Sequence, residues 1–93
     1  MARRYPREGG SFYINPAELK AVHLIQSRGM SQKQVAQELK ISIDTLKHNL
    51  GNLYSRVRET NNWPEKSVNE TRAIMYLYKV GILPITEEEY NKL

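Results

Sequence analysis

The stretch GMSQKQVAQELKISIDTLKHNL, residues 29–50, decides how this chain is read. It opens on Gly29, a residue type that closes helices by taking the left-handed conformation. Ser31 follows as a helix N-cap. Val35, Ala36 and Leu39 then fall on one face of a short helix. No glycine ends that helix; Lys40-Ile41-Ser42 makes a short turn, and Ser42 caps what comes next. A longer helix is expected over about 43–58, with Leu46, Leu50, Leu53 and Val57 spaced 4, 3 and 4 apart. Turning about 100° per residue from Leu46 places Asp44, His48, Gly51, Asn52 and Ser55 on the opposite side. Thr45, Lys47 and Arg58 lie on the flanks of that polar face. Two short helices joined by a tight turn, the second amphipathic with a basic polar face, describe a helix-turn-helix.

Upstream, Asn15-Pro16 pairs an N-cap residue with proline at the first helical position. Apolar residues at 19, 21, 22, 24 and 25 form a broad face, so a first helix is expected over about 16–28. Residues 1–13 combine three arginines with Pro6 and the Gly9-Gly10 pair, and read as a basic flexible arm rather than an element. No β-alternation of useful length is evident. Downstream, the polar run from Glu59 to Lys66 contains Asn61-Asn62 and Trp63-Pro64 and reads as a loop, with Trp63 pinning it onto the core. A fourth helix is expected over about 67–80, with Val68, Ala73, Ile74, Leu77 and Val80 apolar and Gly81 as its terminator. Thr86 stands three residues before Glu89, the spacing of a capping box, which starts a short final turn. The expected fold is all-α: a small four-helix helix-turn-helix domain over 14–83, with an N-terminal arm (1–13) and a short C-terminal tail (84–93).

At 93 residues, 40% of them apolar, the chain holds one domain with one modest core. It has no cysteine, which fits a reducing compartment. No apolar stretch approaches the roughly 20 residues of a membrane span. The N-terminus lacks the apolar region of a signal peptide, so a cytoplasmic location is expected. The net charge of +4 is uneven. Residues 1–58 carry ten Lys/Arg against four Asp/Glu, and residues 59–93 carry four against six. A basic half facing a polyanion would give this imbalance, and so would ordinary surface charge. With two histidines and no cysteine, no metal site is expected, and His23, amid Val22, Leu24 and Ile25, reads as structural. No phosphate-binding glycine loop, nucleophile elbow or metalloprotease helix is present, so neither an enzyme nor a cofactor is expected.

The run from Gly29 to Leu50 closely resembles the LuxR/GerE-type helix-turn-helix family. That family's pattern runs glycine, small cap, lysine, isoleucine-alanine, leucine, isoleucine-serine, then threonine-valine-lysine. Downstream, Asn52-Leu53-Tyr54 and Arg56-Val57 are similar to its asparagine-isoleucine-tyrosine and lysine-leucine. Asn69-Glu70-Thr71-Arg72-Ala73-Ile74, closed by Gly81-Ile82-Leu83, is similar to its last helix, and Ile14-Asn15-Pro16-Ala17-Glu18 to its opening. The resemblance covers about residues 14–83 and is most specific over 29–57. This chain departs from the pattern in a first helix one residue longer before Gly29, and in Asn49, beside His48, where the family has histidine. It departs again in Gly51 inside the second helix of the motif and in a longer loop at 59–68.

The resemblance implies a regulator of transcription that binds double-stranded DNA sequence-specifically, reading the major groove through the helix at about 43–58. It makes Lys47 and His48 contacts to base edges, with Gly51 at a third contact position where the lack of a side chain permits close approach. Gln32, Lys33, Ser42 and Thr45 lie at helix starts or in the turn, where backbone amides and short donors meet phosphate. Asn52, Ser55 and Arg58 extend the same face. The family's last helix pairs with its twin, and here Ile74, Met75, Leu77 and Tyr78 are the candidates for a homodimer surface; if Ile74 and Leu77 face the core instead, Met75, Tyr76 and Tyr78 are left as the contact. Two alternatives stay open. One is an adaptor of the same fold that binds a protein partner, another regulator or a polymerase. The other is a DNA-handling factor of a phage or mobile element.

Overall fold

The computed structural model describes residues 3–7, 10–64 and 69–93, with side chains from residue 12 onward. The fourth helix, expected from residue 67, begins instead at Glu70, because extended Asn69 caps it through the Arg72 amide; Val68, expected on its apolar face, lies outside the described residues. The chain is mostly helical, as expected. Its elements in order are β1 (Arg3–Arg7), β2 (Gly10–Ile14), α1 (Pro16–Arg28), α2 (Gln32–Leu39), α3 (Ile43–Thr60), α4 (Glu70–Lys79) and α5 (Glu87–Asn91). No described helix is long and apolar enough to cross a membrane.

The helix boundaries follow the capping chemistry of the sequence. Asn15 and Glu18 close a reciprocal capping box on α1: the Glu18 amide donates to Asn15 Oδ1 at 2.8 Å, and the Asn15 amide donates to Glu18 Oε1 at 3.1 Å. Gly29 ends α1 at φ 63°, and its amide donates to the Leu24 carbonyl. Ser31 and Gln34 box the start of α2 in the same way. Lys40, rather than a glycine, takes the left-handed conformation that ends α2, at φ 59°. A side chain there costs on the order of 1 kcal/mol, offset in part by its amide donating to the carbonyls of Ala36 and Gln37. Thr86 and Glu89 form the expected box on α5.

α3 is the element around which the others pack: α1, α2, α4 and β2 all contact it. Its stripe of Leu46, Leu50, Leu53 and Val57 is wholly buried, together with Leu19, Val22 and Leu24 of α1 and Val35 and Ala36 of α2. Ala73, Ile74, Tyr76 and Leu77 bring α4 into the same core, and Ile82, Leu83 and Ile85 complete it from the extended segment after Gly81. At the α3–α4 boundary the Tyr54 hydroxyl is buried with no hydrogen-bond partner among the described residues. Burial, reinforced by Glu70, raises its pKa well above the usual phenol range.

The N-terminal segment corrects the sequence reading. Residues 3–7 and 10–14 are not an arm but the two strands of an antiparallel hairpin, with Arg7 paired to Gly10, Tyr5 to Phe12 and Arg3 to Ile14. Phe12 and Ile14 are buried while Tyr13 between them is exposed, the period of two that a strand imposes. Phe12 meets the edge of the Tyr76 ring at 5.6 Å. Only three residues carry the alternation, too few to register as a pattern. Gly10, which opens β2, looks in sequence the same as a glycine in a flexible arm.

The tail is likewise docked. Arg28 at the end of α1 donates to both Glu87 oxygens, at 2.6 Å and 3.4 Å. The buried His23 contacts Glu87 Oε1 through Nε2 at 3.3 Å and Ser27 through Nδ1 at 3.2 Å, a structural role as expected. Tyr90 lies against the His23 ring at 5.0 Å. Hydrogen bonding from Arg28 holds the Glu87 carboxyl below its ordinary pKa, with His23 adding to the effect. A carboxyl with a depressed folded pKa lends stability that is present above its unfolded pKa and is lost as pH falls through the folded one. The contact of α5 with α1 is therefore expected to loosen in acid, and Glu87→Gln to abolish that pH dependence. Amide exchange over residues 87–91, followed from about pH 6 down to about pH 3, is the check. Equal protection across that range in wild type would contradict the expectation.

Candidate nucleic-acid interface

The sequence-predicted residues lie on α2, on α3 and in the turn between them. Ser42 caps α3 by accepting from the Thr45 amide at 3.0 Å, and its hydroxyl donates to Thr45 Oγ1 at 2.8 Å. Both hydroxyls are thereby held at the exposed start of the helix. His48, Gly51, Asn52 and Ser55 are exposed along the side opposite the leucine stripe, and Lys47 is exposed on its flank. Asp44 shares this face, and a carboxylate in the first turn is favourable to the helix dipole. Arg58 is half-buried, and its guanidinium lies 3.6 Å from Glu59. It therefore contributes less free charge than expected. Gln32 and Lys33 occupy the first turn of α2, Gln32 half-buried and Lys33 exposed.

One cation of this surface went unrecognised in the sequence. Lys40 is exposed in the turn itself, between the end of α2 and the start of α3. Its position gives no signal in the sequence, because glycine is the usual residue in the left-handed conformation that Lys40 adopts.

Gly51 breaks the rule that helix interiors avoid glycine, and its surroundings do not require it. A β-carbon at Gly51 would meet nothing within 4 Å. Gly51→Ala is therefore expected to stabilise the fold by about 0.5–1 kcal/mol. Urea denaturation is the measurement, and an unchanged or lower midpoint would refute it.

Below this surface, Arg56 on the inner flank of α3 reaches back to the buried Glu18 with a two-pronged ion pair at 2.8 and 3.2 Å. It also donates to the Tyr13 carbonyl at 3.1 Å. One side chain thus ties α3 to the start of α1 and the end of β2. Glu18 and Arg56 stand in the sequence as parts of similar segments, and nothing there pairs them.

No family model, curated protein or solved structure matches this chain.

Of the four residues expected at a dimer surface, the structure buries two. Ile74 and Leu77 point into the protein's own core, because α4 turns that face toward α3. They are removed from the candidate surface. Met75, 65% exposed, and Tyr78, 42% exposed, remain. Trp63 is half-buried against the core as expected, edge-on to Tyr76 at 6.3 Å, with the Arg72 guanidinium 4.0 Å from its ring centre. No group of His, Cys, Asp and Glu able to hold a metal occurs among the described residues.

Proposed function

We propose that the protein binds double-stranded DNA sequence-specifically, as a transcription regulator of the LuxR/GerE type, by inserting the N-terminal half of α3 into the major groove. The observation that carries this reading is the exposed polar face of α3. It is short at Thr45, cationic at Lys47 and flat at Gly51, and the leucine stripe on the other side of the same helix is buried. A major groove about 12 Å wide accepts one α-helix, and lysine and histidine can donate to guanine O6 and N7 there. Lys33, Lys40 and the start of α3 would supply the contacts to phosphate beside the inserted helix. A homodimer joined along the Met75–Tyr78 flank of α4 would carry two such helices and read a palindromic site.

In vitro selection of bound duplexes from a random library tests the reading: a defined motif is expected, and two-fold symmetry in it if the dimer forms. On the selected site, Lys47→Ala and His48→Ala are each expected to lose about 1–3 kcal/mol of discrimination at a single base pair. Lys33→Ala should weaken selected and scrambled sites alike, since a phosphate contact carries no base information. If Lys47 and Lys33 substitutions behave the same on both duplexes, α3 is not the reading element.

A further inference from the structure

Between the start of α1, the turn after α2 and the middle of α3, the surface opens into a hollow of about 300 Å³ lined by Pro16, Ala17, Lys20, Leu39, Ile41 and Asn49. Lys20 stands four residues after Pro16 and three after Ala17, so the three share one face of α1. Leu39 and Ile41 stand on either side of Lys40, whose left-handed backbone turns the chain from α2 toward α3. That turn is held by the Ile41 amide, which donates to the Ala36 carbonyl at 3.0 Å. Asn49 sits on the flank of α3 away from Lys47, between the leucine stripe and the polar face. Four of the six lining residues are apolar, and Leu39 and Ile41 among them pack against the core. The other two, Lys20 and Asn49, are half-buried. Neither side chain has a hydrogen-bond or ion-pair partner among the described residues. No carboxylate lines the hollow among those residues. Glu18 and Glu38, each next to a lining residue in the chain, are paired with Arg56 and Arg28 instead.

We propose that this hollow binds a small carboxylic acid with a compact apolar body, the body lying on Pro16, Leu39 and Ile41 and the carboxylate meeting Lys20 and Asn49. The lining selects that chemistry. Ligand pockets combine a mostly apolar wall with a few convergent polar groups, and a volume at the small end of their range of about 300–1,000 Å³ takes a small occupant. One unpaired cation matches one negative charge, and the Asn49 amide adds a second donor for the other carboxylate oxygen. A phosphate of a nucleic-acid strand would leave the apolar wall unused and find a single cation, where binding a strand takes several. A second copy seated two-fold on the hollow would bring Lys20 toward its own equivalent, like against like. The wall is built by two helices and a hydrogen-bonded turn, so little ordering has to accompany binding. The site lies beside the polar face of α3 rather than on it, and the inference does not rest on DNA binding.

Methyl and side-chain amide NMR of the full chain, titrated with phenylacetate, benzoate and hexanoate, tests this. Acetate serves as the probe without an apolar body, and the primary amide of each acid as the probe without the charge. At least one of the acids should shift the Ala17, Leu39 and Ile41 methyls and the Asn49 amide together, with half-saturation below about 10 mM. Acetate and the matching amide should each bind about tenfold more weakly or worse. Lys20→Gln should weaken the acid by about tenfold and leave its amide unchanged. Lys47→Gln, on the other flank of α3, should leave the acid unchanged. Helical circular dichroism establishes that both variants are folded, and no duplex is present, so the outcome is separate from that of the DNA reading. The proposal is overturned if no acid moves these resonances, if acetate or the amide binds as well as the acid, or if Lys20→Gln binds it equally. Shifts scattered over the exposed lysines would show adventitious anion binding only, and would overturn it too. The same methyls shifting with protein concentration alone, and with no acid bound, would assign the hollow to a second copy instead.

Discussion

Replacing Arg56 by methionine is expected to cost the fold about 3 kcal/mol, the loss seen when one partner of a buried ion pair is removed. Glu18 is 2% exposed, and its carboxylate would be left with the Asn15 amide as its remaining partner among the described contacts. The Arg56 side chain is itself one-third exposed, which keeps the expectation at the lower end of that range. Urea denaturation measures it. The double variant Arg56→Met with Glu18→Gln should recover part of the loss, because it also removes the charge that was left unpaired. A loss below about 1 kcal/mol for Arg56→Met would mean that the pair does not hold α3 against α1. The substitution lies beneath the polar face of α3 rather than on it. Any weakening of duplex binding at temperatures where the variant is fully folded would then report the tilt of α3, not a lost contact.

Duplex binding is expected to weaken on the order of 100-fold or more between about 50 and 200 mM salt, because each phosphate neutralised releases condensed counterions. The basic half of the chain supplies the charge: Lys33, Lys40 and Lys47 are exposed around the helix-turn-helix, and the acids are concentrated after residue 58. Fluorescence anisotropy on one selected duplex across a salt series gives the slope. Lys33→Ala should reduce that slope by about one, as a single phosphate contact does. Gly51→Ala should leave the slope unchanged and weaken binding to the selected site if the absent side chain is there for close approach. A flat salt dependence, or no binding at low salt, would remove DNA as the partner and leave the adaptor reading in its place.

The sequence by itself determined those features whose cause is local. Asn15, Ser31, Ser42 and Thr86 accept from the amides of their own helices, so each of these caps could be read within three or four residues of chain. The leucine stripe of α3 was legible for the same reason: a fixed turn per residue makes burial periodic whatever packs against it. Once the stripe was known, the exposure of Lys47, His48, Gly51, Asn52 and Ser55 followed by geometry.

The tertiary structure alone decided what depends on residues far apart in the chain. Glu18 and Arg56 are 38 residues apart, and His23 and Glu87 are 64 apart. No local pattern marks a charge for a partner at such distances. α4 carries apolar side chains on most of its circumference, so its sequence could not say which of them turn inward. Packing against α3 and β2 buried Ile74, Tyr76 and Leu77 and left Met75 and Tyr78 outside. The hairpin is the clearest case. Five-residue strands are bonded to each other rather than to themselves, so their existence rests on a pairing that neither strand encodes alone. What holds them is the insertion of Phe12 and Ile14 into a core that other elements build.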